Sequence, residues 1–255
     1  MNSHQGAAQH RGAAPLQQGG EEVQFPGLGY RNQAPVERII HFGSPEISMT
    51  TAGIVPERDI DGSITAVVLA GGLGLRMGGR DKGLLPLQGR PLVAGLCDTL
   101  RPQVDQLVIN ANRNQAAYAA LGWPVLADGR PGHPGPLAGI EAAMAVAPPG
   151  WLLCVPCDAA RLPANLVAAL AQGLRLAGVA AAYATLGAEP HYPVCLLSTA
   201  LASAVRVALD RQQRSVRQLL AAAGAVPVDF AQSVPRPVFS LNDDDDWRAQ
   251  GWTPP

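Results

Sequence analysis

Apolar stretches of strand length alternate with stretches of helical periodicity from residue 64 almost to the end of the chain. Residues 64–69, Ile-Thr-Ala-Val-Val-Leu, have the length and β-branched content of a strand buried on both faces. Strands that alternate with helices predict parallel pairing with right-handed crossovers, and therefore an α/β fold. The predicted strands are 64–69, 106–110, 124–126, 151–155, 178–183 and 194–197, with edge strands at 226–228 and 238–239. The predicted helices are 91–100, 114–121, 137–146, one that starts at Pro163, 199–209, 215–222 and 243–247.

The first predicted strand runs directly into a glycine-rich loop. Residues 70–74 read Ala-Gly-Gly-Leu-Gly, and such small residues allow a tight turn with backbone N–H groups open to an anion. Arg76, Arg80 and Lys82 follow within the same loop. Because open α/β sheets bind ligands at the carboxyl ends of their strands, we expect a phosphate site here.

Two common glycine-rich phosphate motifs do not match this loop. A dinucleotide fingerprint requires a third glycine where Met77 stands. A Walker loop requires Gly-Lys followed by Ser or Thr, whereas this chain has Lys82, then Gly83, then Leu84. The loop therefore belongs to a different class of phosphate site.

Three further polar residues follow predicted strands: Asn110, Asp128 and Asp158. Each has a structural explanation when taken singly, as a helix cap, an Asx turn or a turn cap. Their shared position at one sheet edge indicates a ligand site instead. We expect Asp158 to bind Mg²⁺, since this ion prefers carboxylate oxygens together with substrate phosphates. Lys82, with Arg76, would then neutralise the charge of a departing pyrophosphate.

Composition narrows the functional class. Hydrophobic residues at 47% and charged residues at 15% fit a soluble globular chain, and 19 basic against 20 acidic residues give a formal net charge of −1. A nucleic-acid-binding protein normally has a basic excess, so no nucleic-acid partner is expected. No apolar run reaches the ~20 residues that span a bilayer, so no membrane partner is expected either. The amino terminus lacks the apolar centre of a secretory signal, which predicts a cytoplasmic protein.

Cys154 and Cys157 form a C-x-x-C motif, a spacing that also occurs in redox and zinc sites. They lie at the end of the predicted strand 151–155, where residues three apart point to opposite faces of a sheet. Cys97 and Cys195 are isolated, so a zinc site would lack its second pair of ligands. We predict that the four thiols are structural.

Residues 1–62 differ in composition from the rest of the chain. They are rich in Gln, Gly, Ala, His and Pro, and such a segment cannot bury enough apolar surface to offset its conformational entropy. We predict a disordered extension over 1–62 and one folded domain over 63–255. A short apolar patch at 36–42 could dock on that domain as a strand.

The glycine loop and the strand-end residues resemble a known family. The chain contains LAGG-x-x-x-RMGG-x-DKGLL at 69–85, NANR at 110–113, Asp128 followed by GPLAG at 135–139, and PCD at 156–158. These motifs are similar to those of the molybdenum cofactor guanylyltransferases over nearly the whole predicted domain. The resemblance implies a Rossmann-like three-layer sandwich with a mostly parallel sheet, of the nucleotide-diphospho-sugar transferase type. It makes 63–255 a nucleotidyltransferase domain.

The same resemblance implies an activity and a set of contacts. The family transfers GMP from GTP to the terminal phosphate of molybdopterin with Mg²⁺, releases pyrophosphate, and works beside other cofactor-assembly proteins and apo-molybdoenzymes. Its pterin-side segment is kept in part, because Asn242 matches while Ser240 replaces the first Asn, and Tyr192 stands where a His usually precedes Pro193. By this resemblance GTP would contact Leu69, Ala70, Gly71, Gly72, Lys82, Asn110, Asp128 and Asp158, with Asp158 also on the metal.

Three alternatives remain open from the sequence. The sister enzymes that attach CMP typically begin LAAG, whereas Gly71 matches the guanylyl type. A sugar-1-phosphate nucleotidyltransferase shares the fold but usually belongs to a longer chain. A non-catalytic nucleotide-binding module would not need both Lys82 and Asp158, so their presence together favours an enzyme.

Overall fold

The computed structural model describes residues 40–41, 60–72, 79–132 and 135–255. Ten strands and seven helices lie in these ranges, together with short 3₁₀ turns at 82–84, 101–103 and 199–201. The strands are β1 (Ile40–His41), β2 (Ser63–Leu69), β3 (Pro86–Leu87), β4 (Arg90–Pro91), β5 (Gln106–Asn110), β6 (Val125–Leu126), β7 (Gly150–Pro156), β8 (Ala181–Leu186), β9 (Glu189–Ser198) and β10 (Val226–Asp229). The helices are α1 (Leu92–Leu100), α2 (Gln115–Ala119), α3 (Pro136–Val146), α4 (Leu166–Ala177), α5 (Ala202–Asp210), α6 (Val216–Ala222) and α7 (Asp244–Ala249).

Eight strands form one sheet in the order β1-β10-β8-β9-β7-β2-β5-β6. Every neighbouring pair is parallel except the two that involve β9, which is antiparallel to both β7 and β8. β8 and β9 are joined by two residues, of which Gly187 has φ +64°, and a connection this short can only form a hairpin. The prediction of an α/β fold with a mostly parallel sheet is confirmed.

The central strand β2 is covered on both faces. Its inward residues alternate between two core clusters: Ala66 and Val68 pack with residues of α1 and α4, while Val67 packs with residues of α3, α5 and α6. Because side chains alternate along a strand, a sheet with helices on both sides needs a continuously apolar central strand. The uninterrupted run at 64–69 meets that need, and three layers result.

Several predicted helix and strand starts are wrong, each for a local reason. Pro91 is the N-cap of α1 and not its first residue, because its backbone pairs with Pro86 in the β3–β4 hairpin. The helix predicted from Pro163 begins at Leu166, after a turn in which Leu166 N–H donates to the Pro163 carbonyl. The strand predicted at 178–183 begins at Ala181, because Gly178 has left-handed geometry (φ +65°) and ends α4.

The predicted edge strands are also corrected. Val226–Asp229 lies inside the sheet as β10, between β8 and β1. Val238 makes an isolated antiparallel bridge with Arg161 outside the sheet, so 238–239 is not one of its strands. Of the predicted extension, the structure describes Ile40–His41, which lie within the apolar patch at 36–42, and residues 60–62. The backbone of Ile40–His41 pairs with that of β10.

The cysteine prediction agrees with the core packing. Cys154 belongs to the cluster under α3 and α5, and Cys157 to the cluster under α1 and α4, so the two lie on opposite faces of the sheet. All four thiols are buried and none is in a disulfide. Burial raises the pKa of Cys97 to about 12. All four thiols lie in the core, as packing groups would.

Among the described residues, no helix combines the length and the apolar character needed to cross a membrane.

Candidate active site

The carboxyl ends of β2, β5 and β7 meet at one edge of the sheet. The backbone ladder continues one residue past the strands there: Ala70 N–H donates to the Asn110 carbonyl at 2.7 Å, and Cys157 N–H donates to the Leu69 carbonyl at 3.0 Å. The residue that follows each strand is therefore held at a fixed height above the sheet. The structure therefore brings together those predicted GTP-contact residues that lie at the ends of these three strands, as the parallel pairing requires.

Lys82 and Asp158 form an ion pair at this edge. Lys82 Nζ lies 2.9 Å from Asp158 Oδ2, although the two residues are 76 positions apart, and their side chains are 18% and 17% exposed. The same ammonium donates to the Leu241 carbonyl at 3.3 Å. Lys82 starts the short 3₁₀ turn at 82–84, and Asp158 follows β7, so the sheet edge and the loop after β2 together place the pair.

Asp128 is held by two asparagines, Asn110 at the end of β5 and Asn112 in the loop after it. Asn110 Nδ2 donates to Asp128 Oδ1 at 2.9 Å, and Asn112 Nδ2 donates to Asp128 Oδ2 at 2.8 Å. Asp128 N–H donates back to Asn112 Oδ1 at 2.9 Å, so the Asn112 amide can take only one orientation. Asn112 is absent from the sequence-derived set of site residues, although a second asparagine two residues after a strand-end asparagine is the signal that could have indicated it.

Two glycines allow these asparagines their positions. A Cβ added to Gly139, in the first turns of α3, would overlap Asn110 Oδ1 and lie 2.8 Å from Leu69 Cδ2. A Cβ added to Gly71 would lie 2.8 Å from Asn112 Nδ2 and 3.2 Å from Asn110 Oδ1. Glycine is required where the helix and the loop approach the amide groups this closely. At Gly72, by contrast, an added Cβ would have no described atom within 4 Å.

The loop between β6 and α3 is tied down by Arg130. Its guanidinium binds both oxygens of Glu141 on α3, at 2.7 and 2.8 Å, and Asp210 on α5 at 2.7 Å. Hydrogen bonds to these two carboxylates raise the pKa of Arg130. The loop that carries Asp128 is thus connected to two helices on the same face of the sheet.

Asn242, the residue predicted on the pterin side, is hydrogen-bonded to residues close to it in sequence. Asn242 follows Leu241, whose carbonyl contacts Lys82, and its own backbone N–H donates to Asp246 Oδ2 at 2.6 Å. Its side chain bonds Ser240 and is exposed. Tyr192 lies on β9, where its ring packs on Tyr183 with centroids 5.0 Å apart.

Arg76, which the sequence predicts to act with Lys82, lies outside the described residues. Within the described ranges, no three His, Cys, Asp or Glu side chains come together as a preformed metal cluster. A cation held by Asp158 would therefore take most of its ligands from substrate or water.

A mostly parallel sheet with Gly71, Lys82 and Asp158 at its carboxyl edge is that of an α/β nucleotidyltransferase. Residues 66–227, more than half of the chain, match the model of the MobA-like NTP transferase domain, and the chain belongs to that family.

Individual relatives agree with this assignment. The molybdenum cofactor guanylyltransferase of Mannheimia succiniciproducens is 41% identical over 169 residues, which are 66% of this chain and 89% of that protein. Among solved structures, molybdopterin-guanine dinucleotide biosynthesis protein A from Archaeoglobus fulgidus matches with a TM-score of 0.60 at 21% identity, over 72% of this chain and 95% of that one. A Mycobacterium tuberculosis protein solved in complex with manganese matches with a TM-score of 0.52 at 18% identity, over 74% and 97% of the two chains.

Proposed function

We propose that the chain transfers GMP from GTP to the terminal phosphate of molybdopterin, which forms the guanine dinucleotide cofactor and releases pyrophosphate. The observation that carries the proposal is the Lys82–Asp158 pair, 2.9 Å apart at the carboxyl edge beside the glycine loop. Relatives at 41% identity named molybdenum cofactor guanylyltransferase support the choice of nucleotide and acceptor. Other cofactor-assembly proteins and apo-molybdoenzymes are further partners under this proposal.

The reaction needs little covalent help from the protein. A phosphate oxygen of the acceptor attacks the α-phosphorus of GTP, and the bond between that phosphorus and the α,β-bridging oxygen breaks, so the bonding pair leaves with pyrophosphate. A phosphate monoester has a second pKa of about 6, so the nucleophile is ionised at neutral pH without a general base. Lys82, with Arg76, would neutralise the β- and γ-phosphates as negative charge develops on the leaving group.

Asp158 fits a role in holding Mg²⁺. A carboxylate has two oxygens with about four lone-pair positions, so it can accept from Lys82 and still offer an oxygen to a cation. Mg²⁺ in such sites typically takes one or two carboxylates and completes its shell with substrate phosphates and water. The ion would supply electrostatic stabilisation of the triphosphate, while Asp158 and Lys82 orient it.

Asp128 is suited to recognise the base. Both of its oxygens already accept from asparagine amides, but each keeps one lone pair. Guanine presents adjacent N–H donors on one edge, which match two carboxylate oxygens, whereas cytosine presents mainly acceptors on the corresponding edge. A buried polar site that has been built for one donor pattern discriminates against a base that lacks it.

The cytidylyl alternative is disfavoured by the packing at Gly71. The alanine of the cytidylyl motif at this position would bring a Cβ to 2.8 Å from Asn112 Nδ2. That contact would displace an amide that orients Asp128. Glycine at position 71 is thus consistent with the guanylyl reading in this chain.

The test is incubation of the purified chain with molybdopterin, Mg²⁺ and either GTP or CTP, followed by identification of the product. We expect the guanine dinucleotide and pyrophosphate with GTP, and no dinucleotide with CTP. Reversal gives an independent measurement, because radiolabelled pyrophosphate should enter GTP when the dinucleotide product is supplied. Formation of a cytosine dinucleotide, or of no dinucleotide with either nucleotide, would contradict the proposal.

A further inference from the structure

The residue before Lys82 is fixed by side chains from a distant segment. The Asp81 side chain is 7% exposed. Its Oδ1 accepts a hydrogen bond from the Tyr118 hydroxyl, and its Oδ2 accepts from Asn114 Nδ2 at 3.0 Å and lies 3.6 Å from Arg113 Nε. All three partners come from the turn after β5 and from α2, so one segment surrounds the carboxylate.

The residue after Lys82 makes room for the same contact. A Cβ added to Gly83 would lie 2.6 Å from the Tyr118 hydroxyl oxygen and 3.3 Å from Cys157 Cβ. Tyr118 is fully buried, so its ring has no alternative place to go. Only a glycine at position 83 allows the phenol to reach Asp81. Tyr118 therefore explains both neighbours of Lys82: Asp81 accepts the hydrogen bond from its hydroxyl, and Gly83 leaves room for that hydroxyl.

The backbone in front of Asp81 is held as well. Arg113 donates to the Gly79 carbonyl at 2.7 Å and to the Arg80 carbonyl at 2.9 Å. Leu84 N–H then closes the 3₁₀ turn on the Asp81 carbonyl at 3.1 Å. The turn is thus fixed from residue 79 to residue 84, while the lysine ammonium contacts Asp158 and the Leu241 carbonyl.

We propose that Tyr118 is a positioning residue for Lys82: through Asp81 its hydroxyl fixes the backbone from which the lysine extends toward the triphosphate. The inference rests on the proposed role of Lys82 in the function above. A lysine side chain loses rotamer freedom when it binds phosphate, and a backbone that is already fixed adds no further ordering cost. Burial and the hydrogen bond to Asp81 raise the pKa of Tyr118, so the hydroxyl remains a donor at neutral pH.

The test is a double-mutant cycle between Tyr118→Phe and Lys82→Ala. Tyr118→Phe keeps the buried ring and removes only the hydroxyl. Because the hydroxyl fixes Asp81 through a hydrogen bond to its carboxylate, we expect kcat/KM for Mg-GTP to fall about tenfold, which corresponds to about 1.4 kcal/mol. In the Lys82→Ala background the Tyr118→Phe substitution should have no further effect, because the lysine side chain that Tyr118 positions is absent. Calorimetric affinity for Mg-GTP serves as the readout where turnover is too low to measure.

Tyr183→Phe is the matched control, because it removes a phenol hydroxyl from a half-buried ring on β8 that packs on Tyr192, whereas the Asp81 hydrogen bond comes from Tyr118. We expect its kcat/KM for GTP to match that of wild type. Thermal melting of every variant separates loss of folded protein from loss of activity per folded molecule.

The outcomes distinguish this inference from the proposed function. Wild-type kcat/KM in Tyr118→Phe, or an equal loss in the wild-type and Lys82→Ala backgrounds, would overturn the positioning role and leave the proposed function standing. Wild-type turnover and GTP affinity in Lys82→Ala would overturn both.

Discussion

The edge formed by β2, β5 and β7 holds its polar side chains by contacts between distant parts of the chain, whereas the segment that carries Asn242 holds its own within a few residues. Lys82 bonds Asp158 across 76 positions, and Asn110 bonds Asp128 across 18. Within the described part of the chain, Asn242 bonds Ser240 and Asp246, at separations of two and four.

This difference indicates how the two substrates would be received. We call the edge formed by β2, β5 and β7, which is proposed to bind GTP, the nucleotide edge. Side chains held by long-range contacts cannot move without disturbing the fold, so this edge has its donors and acceptors fixed before substrate arrives. Preorganised groups of this kind stabilise developing charge without reorganisation. The exposed, locally bonded asparagine can rearrange at little cost. Substitutions should therefore have large effects at the nucleotide edge and small, acceptor-specific effects near Asn242.

The largest effect is expected from the ion pair. Lys82→Ala and Asp158→Asn should each lower kcat by about 10²–10³-fold, the range seen when a preorganised group is removed from a developing charge. Asp158→Asn should also need more Mg²⁺ for half-maximal turnover. Pyrophosphate release measured across a Mg²⁺ titration checks both expectations.

Both side chains of the pair are partly exposed, so neither variant should lose the fold. Far-ultraviolet circular dichroism and a melting curve provide the control. Wild-type Mg²⁺ dependence in a folded Asp158→Asn protein would exclude the metal role.

A smaller effect on rate, but a larger one on nucleotide choice, is expected at Asp128. Asp128→Asn replaces one acceptor oxygen by a donor, which should raise KM for GTP and reduce the preference for GTP over ATP and CTP by about 10–100-fold. Mg²⁺ dependence should not change, because Asp158 is intact. Competition between the nucleotides in one reaction measures the preference directly, and an unchanged preference would remove Asp128 from base recognition.

Gly139→Ala tests the fixed packing of the nucleotide edge through an uncharged change. Alanine is favoured over glycine in a helix by about 1 kcal/mol, but the added methyl would overlap Asn110 Oδ1, and overpacking costs about 1–3 kcal/mol. We expect lower stability in urea unfolding and a severalfold higher KM for GTP.

Gly95→Ala in α1 is the matched helical control, because a Cβ there meets nothing within 4 Å. It should be as stable as wild type or about 0.5–1 kcal/mol more stable, with normal kinetics. If Gly139→Ala behaved in the same way, the close approach of α3 to Asn110 would contribute neither to stability nor to GTP binding.

The smallest effect is expected from Asn242→Ala. The residue is exposed and its side chain bonds only Ser240, so stability should change by no more than about 0.5 kcal/mol. KM for molybdopterin should rise while KM for GTP stays unchanged. Steady-state kinetics with each substrate varied in turn measures the two KM values separately. A rise confined to the KM for GTP would contradict a role of Asn242 on the acceptor side.

The strands of this fold could be read from the sequence where the pattern is unambiguous. The buried run 64–69 and the strand 106–110 agree with β2 and β5 almost to the residue. The β8–β9 hairpin was not predicted, because Gly187 lies between apolar runs that look the same in parallel and antiparallel strands. The direction of β9 follows from the short turn, which local hydrophobicity does not encode.

The site was predictable in part for a related reason. Residues at or just past strand ends, such as Asn110 and Asp158, can be placed at one edge as soon as parallel pairing is assumed. Tyr118 and Gly139 could not be, because both lie in helices and reach the edge only through tertiary packing. A helical tyrosine reads as a core residue in sequence, and the bond to Asp81 becomes visible only in three dimensions.

The most direct measurement is a crystal structure with Mg²⁺ and a non-hydrolysable GTP analogue. The triphosphate should lie between Lys82 and Asp158, with the metal on the Asp158 carboxylate and the guanine edge on Asp128. A nucleotide bound away from the carboxyl edge, or a triphosphate that contacts neither Lys82 nor Asp158, would contradict the proposed function.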